Sequence, residues 1–326
     1  MKSKFVKIFF LLLGIAVLLI GVLLTYVKTA LPNVGVAPDL KVESTPEILE
    51  RGRYLAHHVV VCIDCHSTRD WSKYAAPPID GTWGKGGEIF DQNIGLPGFY
   101  TSKNITPAGI SSWTDGELFR VITCGVDKDG KALFPIMPYQ NYGQMDEEDI
   151  KAIIAYIKTL APIENKPQES VSDFPMNFII NTIPQKANLQ KRPDKTDVIA
   201  YGKYMTNAAA CIECHTKAVR GEKLKGMEFA GGFEFPLPSG GVVRSSNITP
   251  HPESGIGNWT KEAFIRRFKL YADSSYQSPT VEKGAMNTVM PWIMYAGMTE
   301  EDLGAIYEYL RTVPAIDNKV ERFTSN

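Results

Sequence analysis

The chain has 326 residues, room for two ordinary domains, and is 44% hydrophobic and 22% charged, which sets it among globular rather than disordered proteins. Its 35 basic and 36 acidic residues nearly cancel, so the sequence carries no electrostatic footprint for nucleic acid.

The N-terminus reads first as a membrane element. Lys2, Lys4 and Lys7 precede an uncharged run of 20 residues from Ile8 to Val27. At about 1.5 Å per residue such a run crosses a hydrocarbon core of about 30 Å. A cleaved signal peptide has a shorter apolar region, roughly 7–15 residues, and a small-residue cleavage site; "KTA" at 28–30 is a poor one. Residues 1–27 are therefore expected to be an uncleaved, single-pass anchor. Its lysines stay in the cytoplasm, and the rest of the chain lies on the periplasmic side of the cytoplasmic membrane. Residues 28–44, with Pro32 and Pro38, read as a tether.

Beyond the tether the chain repeats itself. "RGRYLAHHVVVCIDCH" (51–66) matches "YGKYMTNAAACIECH" (201–215), and "NITP" occurs at 104–107 and again at 247–250. "WTDGELFRVI" (113–122) matches "WTKEAFIRRF" (259–268), and "MPY" (137–139) matches "MPW" (290–292). "MDEEDIKAIIAYIKTLAPIENK" (145–166) matches "MTEEDLGAIYEYLRTVPAIDNK" (298–319), in strict register 153 residues apart. This period is too long for a solenoid and reads as a duplicated domain, 45–166 and 195–320. A connector at 167–194 has no repeat partner, its apolar "FPMNFIINTI" (174–183) is expected to pack between the domains rather than lie on a membrane surface, and a tail follows at 321–326.

Each copy is expected to be helical at both ends, with long glycine- and proline-rich loops between and few strand patterns. Thr45 followed by Pro46 makes an N-cap and first helical position. Thr114 with Glu117 fits a capping box, half of which survives as Thr260. Asp146 and Thr299 are placed to cap the last helices, where Ile150, Ile153, Ile154, Ile157 and Leu160, and in the second copy Leu303, Ile306 and Leu310, share one face.

Cys62-x-x-Cys65-His66 and Cys211-x-x-Cys214-His215 carry the chemistry. A redox dithiol would want a thioredoxin-like βαβ setting, and the flanks here are helical. Zinc would want a fourth ligand, with only His251 and Cys124 to spare. The string itself is that of covalent haem c: two thiols one helical turn apart reach two vinyl edges of a flat ring, and the next residue, His66 or His215, points at its iron. Two such strings call for two haems. The sixth iron position in electron carriers is usually a methionine thioether, which raises the reduction potential. Met137 and Met290, in matched "MP-aromatic" contexts 71 and 75 residues after their histidines, are the expected ligands. Met145 and Met298 are also matched but sit at the start of the last helix, where packing is the ordinary role. Met286 and Met294 lack counterparts and read as filler.

His57 and His58 lie too close to Cys62 to reach the other ring face and read as solvated or propionate neighbours; His251 reads as a surface histidine. Cys124 is an odd thiol, read as a small apolar residue at a helix end rather than a haem ligand or catalytic thiol. The two Asn-Ile-Thr strings fit a glycosylation pattern, but their matched place before proline favours turn hydrogen bonds. Trp113 and Trp259 are expected in the core or at a haem edge. Arg51, Arg53 and Lys203 are either propionate partners or exposed.

Taken together, "GRYLA…CIDCH", "NITP…W", "GVDKDGKALFPIMPY" and "EEDIKAIIAYIKTL" resemble the cytochrome c subunits of bacterial membrane-bound alcohol and gluconate dehydrogenases. Those subunits often carry three haems and are typically tied to the membrane at the C-terminal end, whereas this chain has two strings and an N-terminal apolar run. The resemblance implies an all-α fold of two tandem class I cytochrome c-like domains. It also implies Met137 and Met290 as axial ligands, and Gly52 and Gly202 at close crossings of the first helix over the last, near Tyr156 and Tyr309. The expected function is single-electron transfer from a membrane-bound dehydrogenase or quinol-oxidising complex to a downstream oxidase or cytochrome. The rival expectation is a haem enzyme, a dihaem peroxidase or thiosulfate dehydrogenase, which would need an open iron position or a ligand such as Cys124.

Overall fold

The apolar N-terminal run forms a single helix, α1 (Lys2–Thr29), whose described side chains from Lys4 to Thr29 pack against nothing along most of their length. It is long and apolar enough to cross a membrane. This computed structural model describes residues 2–325; Met1 and Asn326, the ends of the expected anchor and tail, lie outside the described residues, as do the side chains of Lys2 and Ser3.

Two sets of helices in the same order follow. The first is α2 (Pro46–Tyr54), the motif turn α3 (Cys62–Cys65), α4 (Asp115–Cys124) and α5 (Glu147–Ile157). The second is α6 (Val198–Ala208), the motif turn α7 (Cys211–Cys214), α8 (Lys261–Lys269) and α9 (Glu300–Leu310). Their starts follow the expected chemistry. Thr45 Oγ1 accepts from Ile48 N with Pro46 at the first helical position. Thr114 and Glu117 close a full capping box, while Thr260 makes the surviving half. Asp146 accepts from Glu148 N and Thr299 from Asp302 N, with three acids in each first turn complementing the helix dipole.

The first helix of each set crosses the last one. A Cβ at Gly52 would overlap the carbonyl of Ala152, and one at Gly202 the carbonyl of Ala305, with the Cβ of Tyr156 and of Tyr309 close by. Only hydrogen fits at these points, so glycine sets how closely the helices approach. The expected faces turn inward there: Ile150, Ile153, Ile154 and Ile157, like Leu303, Ile306 and Leu310, are buried in a core that runs through both sets.

The first copy has one residue more than the second between its crossing glycine and its first motif cysteine. The chain absorbs it in a π-helical turn, Leu55–Val59, closed by Val60 N donating to Leu55 O over 2.8 Å. A wider turn takes up the insertion without rotating the motif away from the crossing. The second copy, without the insertion, stays α-helical from Val198 to Ala208.

The two sets hold each other by exchanged side chains. Tyr54 Oη donates to Asp302 of the other set and accepts from Thr299 N. Tyr204 Oη donates to Asp149 over 2.7 Å and accepts from Asp146 N over 3.1 Å. Both carboxylates are almost fully buried and keep several partners: Arg51 and Arg192 for Asp149, Tyr201 and Lys195 for Asp302. Arg51 is thereby committed to Asp149, Arg53 pairs with Glu50, and Lys203 is exposed.

The expectation of an all-α chain is corrected at the loops. Three small antiparallel sheets occur among the described residues: β1 (Ile89–Phe90), β2 (Gly98–Thr101) and β3 (Val171–Ser172); β4 (Ala218–Val219) with β5 (Glu222–Lys223); and β6 (Glu234–Pro236), β7 (Val242–Arg244) and β8 (Phe323–Thr324). β3 belongs to the expected connector and β8 to the expected tail. Each adds the third strand to the sheet of its own copy, so the repeat runs past the last helix in both. The rest of the connector departs from expectation too. "FPMNFIINTI" does not pack between the copies; Phe174 is 80% exposed, and Lys28 of α1 donates to Asn177 O over 2.8 Å. The tether is docked rather than loose, with Val42 N donating to Asp115 Oδ2 over 2.9 Å.

Gly52→Ala and Gly202→Ala are each expected to destabilise the fold by about 1–3 kcal/mol or more, the cost of overpacking against backbone. Lys203→Ala, one residue away but exposed, should stay within about 0.5 kcal/mol. Denaturant melts followed by far-ultraviolet circular dichroism measure the difference.

Candidate haem sites

Each motif begins on a left-handed residue. Val61 (φ 50°) and Ala210 (φ 49°) sit just before Cys62 and Cys211. This region is disfavoured for any residue with a Cβ, and most of all for a β-branched one. The bend it makes ends the first helix and starts one turn that carries both cysteines of each motif. His66 N and His215 N then close back on Cys62 O (3.0 Å) and Cys211 O (2.9 Å).

The histidine rings are oriented alike. His66 Nδ1 lies 2.6 Å from Lys103 O, and His215 Nδ1 lies 2.7 Å from Ser246 O. A carbonyl oxygen only accepts, so each Nδ1 carries the proton and each Nε2 lone pair is left for a ligand. Such an outer hydrogen bond fixes ring orientation and tautomer at metal sites. Burial depresses the basicity of both rings, which keeps them neutral.

The accepting carbonyls belong to the residues before the two "NITP" strings, and those strings make the carbonyls rigid. Asn104 Oδ1 accepts from Thr106 N (2.9 Å) and Thr106 Oγ1 (2.7 Å), while its amide donates to Ile163 O and Asn165 O. Asn247 repeats the arrangement with Thr249 and Ile316 O. Both asparagines are buried, so the strings serve as turns and not as glycan acceptors. Against the same carbonyls lie Gly86 and Gly231, where a Cβ would come within 2.5 Å of the Lys103 and the Ser245–Ser246 backbone. Each also donates its N–H to the motif histidine's own carbonyl over 2.8 Å. Sequence reading passed these glycines over. Their trace is the "GG" pair at 86–87 and 231–232, which stands before "NITP" in both copies.

The methionines separate into two kinds. Met145 and Met298 are 0% and 1% exposed, packed in the core beneath the last helices. Met137 and Met290 are half-buried on loops. Each of these loops is an inverse γ-turn: Met137 O accepts from Tyr139 N across Pro138 (φ −78°, ψ 58°), and Met290 O accepts from Trp292 N across Pro291 (φ −79°, ψ 62°). Proline supplies the required φ, which is the physical content of the matched "MP-aromatic" string. In the first copy Met137 lines the same cavity, of about 1570 Å³, as Cys62, Cys65 and His66. Apolar side chains such as Ile105, Trp113, Leu118 and Ile153 complete its walls. Desolvation pushes the thiols of Cys62, Cys65 and Cys211 up to about 12 and, with the neighbouring Glu213, that of Cys214 to about 11, so the free sulfurs are protonated thiols. Among the described residues no three His, Cys, Asp or Glu side chains converge as metal ligands.

Two tyrosines brace the motifs, each within its own copy. Tyr142 Oη donates to Val60 O over 3.2 Å, and Tyr295 Oη donates to Ala209 O over 2.9 Å, each two residues before a motif cysteine. Tyr142 lines the first-copy cavity together with Cys62 and Cys65. Burial raises both phenols well above their ordinary value and keeps them hydrogen-bond donors. They too were missed, although they stand 153 residues apart in the strict register of the repeat. Met290 owes part of its position to the other copy: Asn287, buried beside its loop, accepts from Ala75 N and donates to Lys73 O.

Several singled-out residues lie elsewhere. His57 and His58 are not solvated; His57 Nε2 is 2.6 Å from Tyr156 Oη, and His58 Nδ1 donates to Met294 O over 2.9 Å. Cys124 is buried at the end of α4 and does not line the cavity. Trp113 lines it, whereas Trp259 is 39% exposed and is not a core residue. His251 is half-buried and braces a turn through Ser254.

Comparison with known proteins agrees with the motifs. Residues 199–314 match the cytochrome c family model. The chain is 27% identical over 296 residues to the cytochrome c subunit of a quinone-linked alcohol dehydrogenase from Gluconacetobacter polyoxogenes, covering 85% of this chain and 58% of that one. It is 26% identical to a gluconate 2-dehydrogenase cytochrome c subunit from Pantoea cypripedii, covering 87% and 64%. It is also 26% identical to a diheme cytochrome c-type protein from Cereibacter sphaeroides, covering 78% and 83%. The chain spans about three-fifths of the length of the alcohol dehydrogenase subunit. The resemblance carried by the motifs is thus borne out, and a cytochrome c domain implies covalent haem c. The residues present fit that group: two thiols on one turn, a neutral imidazole with a free Nε2 and, in the first copy, an apolar cavity shared with a thioether.

His57 makes a pH prediction. Burial, then the neighbouring His58 and Arg53, lower it from its ordinary 6.5 to about 4. The unfolded chain therefore takes up this proton first as pH falls, and stability declines between about pH 6.5 and 4 while staying level above. His57→Gln should flatten that decline in thermal melts across this range.

Proposed function

We propose that the chain is a membrane-anchored dihaem electron carrier, with one covalent haem c in each of two tandem domains, 45–166 and 195–320. The observation that carries this reading is the recurrence of one arrangement in both copies: a left-handed bend, two cysteines on one turn, a histidine whose Nδ1 is fixed by a loop carbonyl, and a methionine on a proline γ-turn. In this reading Cys62, Cys65, Cys211 and Cys214 form the thioethers. His66 and His215 are one axial ligand, and Met137 and Met290 the other.

Bound in this way, each haem would supply one-electron chemistry at constant ligation. The chain's own part is to hold both ligands still. The Lys103 and Ser246 carbonyls keep Nε2 aimed, and the γ-turns restrict the methionine loops. The apolar walls exclude water, which with the thioether favours a higher potential. By analogy with the named relatives, the donor is the catalytic subunit of a membrane-bound dehydrogenase. The acceptor is a downstream oxidase or cytochrome on the periplasmic side, with α1 holding the carrier at the membrane. The buried position of Cys124, off the cavity, supports a carrier over a haem enzyme using that thiol.

Met137→Leu and Met290→Leu, close in volume and costing less than about 1.5 kcal/mol of packing, should each abolish part of the thioether-to-iron charge-transfer band and lower one of two reduction potentials. Met145→Leu and Met298→Leu should leave the band unchanged. A band surviving both of the first replacements removes the ligand assignment. Mass spectrometry showing fewer than two covalent haems removes the dihaem reading. Co-purification from detergent-solubilised membranes tests the dehydrogenase partner.

A further inference from the structure

The connector segment left uncovered by the fold lies where the membrane helix ends. Lys28, one residue from the end of α1, places its ammonium 5.0 Å from the centre of the Phe178 ring and donates to Asn177 O over 2.8 Å. Phe178 in turn meets Phe174 edge-on at 6.4 Å. Around this contact the chain exposes apolar side chains: Phe174 is 80% exposed, Val171 61% and Ile179 44%. Single exposed apolar residues mean little. Here, however, the anchor fixes their height. If α1 crosses the bilayer, as proposed above, Lys28 stands at the headgroup level, and Asn177 and Phe178, in contact with it, stand at the same level. Aromatic residues and lysine are the side chains favoured at that depth, ring inward and charge outward.

We infer that residues 171–180 form a second membrane contact, with Phe174, Phe178 and Ile179 seated in the headgroup region of the bilayer that α1 crosses. The occupant of this apolar face is phospholipid, because the segment contacts the end of the anchor through Lys28 and so lies beside the bilayer surface. A short, non-spanning apolar segment at this depth gains from burying its apolar side in the headgroup and acyl boundary. It also orients the first haem site. Lys28, Leu31, Asn177 and Ile180 are among the residues that line the cavity of Cys62, His66 and Met137. The cavity wall formed by Lys28 and Asn177 therefore lies at the level of the lipid surface.

The inference rests on α1 being a retained span, and the test separates the two. The full chain, haems attached, is reconstituted alone into phosphatidylcholine vesicles in a Cys124→Ala background. Nitroxide labels are placed at Phe174→Cys and Ile179→Cys, at Leu18→Cys within α1, and at Val219→Cys, an exposed site in the second copy. Collision with lipid-soluble oxygen and with a water-soluble nickel chelate is read by power saturation. The oxygen-to-nickel ratio at 174 and 179 should be several-fold above that at 219 and below that at 18. Labels at 174 and 179 that match 219, with 18 in lipid, overturn the second contact and point instead to a protein that covers the patch. A label at 18 that meets nickel freely, or a mature chain lacking Leu18, overturns the anchor and this inference with it.

Discussion

The close crossing of first and last helix is the constraint from which the remaining geometry follows. At Gly52 and Gly202 the backbone of one helix rests on a carbonyl of the other, a separation that no side chain permits. The first helix leads directly into the cysteine turn. The last helix is preceded by the methionine γ-turn through Tyr139–Tyr142 or Trp292–Tyr295. Fixing the crossing therefore fixes the cysteine turn and the methionine loop against each other. The π-turn at Leu55–Val59 shows how strictly this is kept. An inserted residue is absorbed by widening one turn, at some loss of hydrogen-bond geometry, so that the crossing and the motif stay in step.

Duplication then solves a second problem, how to hold two similar units together. Each first helix sends a tyrosine into the cap of the other unit's last helix, where it satisfies both a buried aspartate and a free N–H. A buried carboxylate left without partners costs several kcal/mol. Separating the units would strand Asp149 and Asp302 with fewer donors, so the exchange ties the fold of each unit to its neighbour. Tyr142 and Tyr295, each within its own copy, brace the backbone just before the cysteine turn.

The environment of each histidine is built from backbone. A carbonyl takes the Nδ1 proton, an asparagine turn stiffens that carbonyl, and a glycine lets the chain press against it. None of these parts is itself chemically reactive. Their combined effect is to leave one nitrogen of one ring free in an apolar crevice.

Much of this was readable in advance from particular residues. The caps at Thr45, Thr114, Asp146 and Thr299, the buried isoleucine face of α5 and the turn role of "NITP" are local matters of hydrogen bonding and helical period, and such matters act over a few neighbours in sequence. The repeat singled out Met137 and Met290 against Met145 and Met298, and the fold buries the second pair and leaves the first half-open. What the sequence could not show were the contacts between distant segments. β3 and β8 complete equivalent sheets through main-chain hydrogen bonds, which need no shared side chains, so residues 171–172 and 323–324 do not look alike. His57 and Arg51 were misplaced because charge and ring chemistry do not reveal which distant partner is near. The sequence by itself determined the motif, its duplication and the helices that carry it, since these follow from local spacing. Only the tertiary structure decided how the copies interlock and where "FPMNFIINTI" rests, because those depend on surfaces that exist only once the chain has folded.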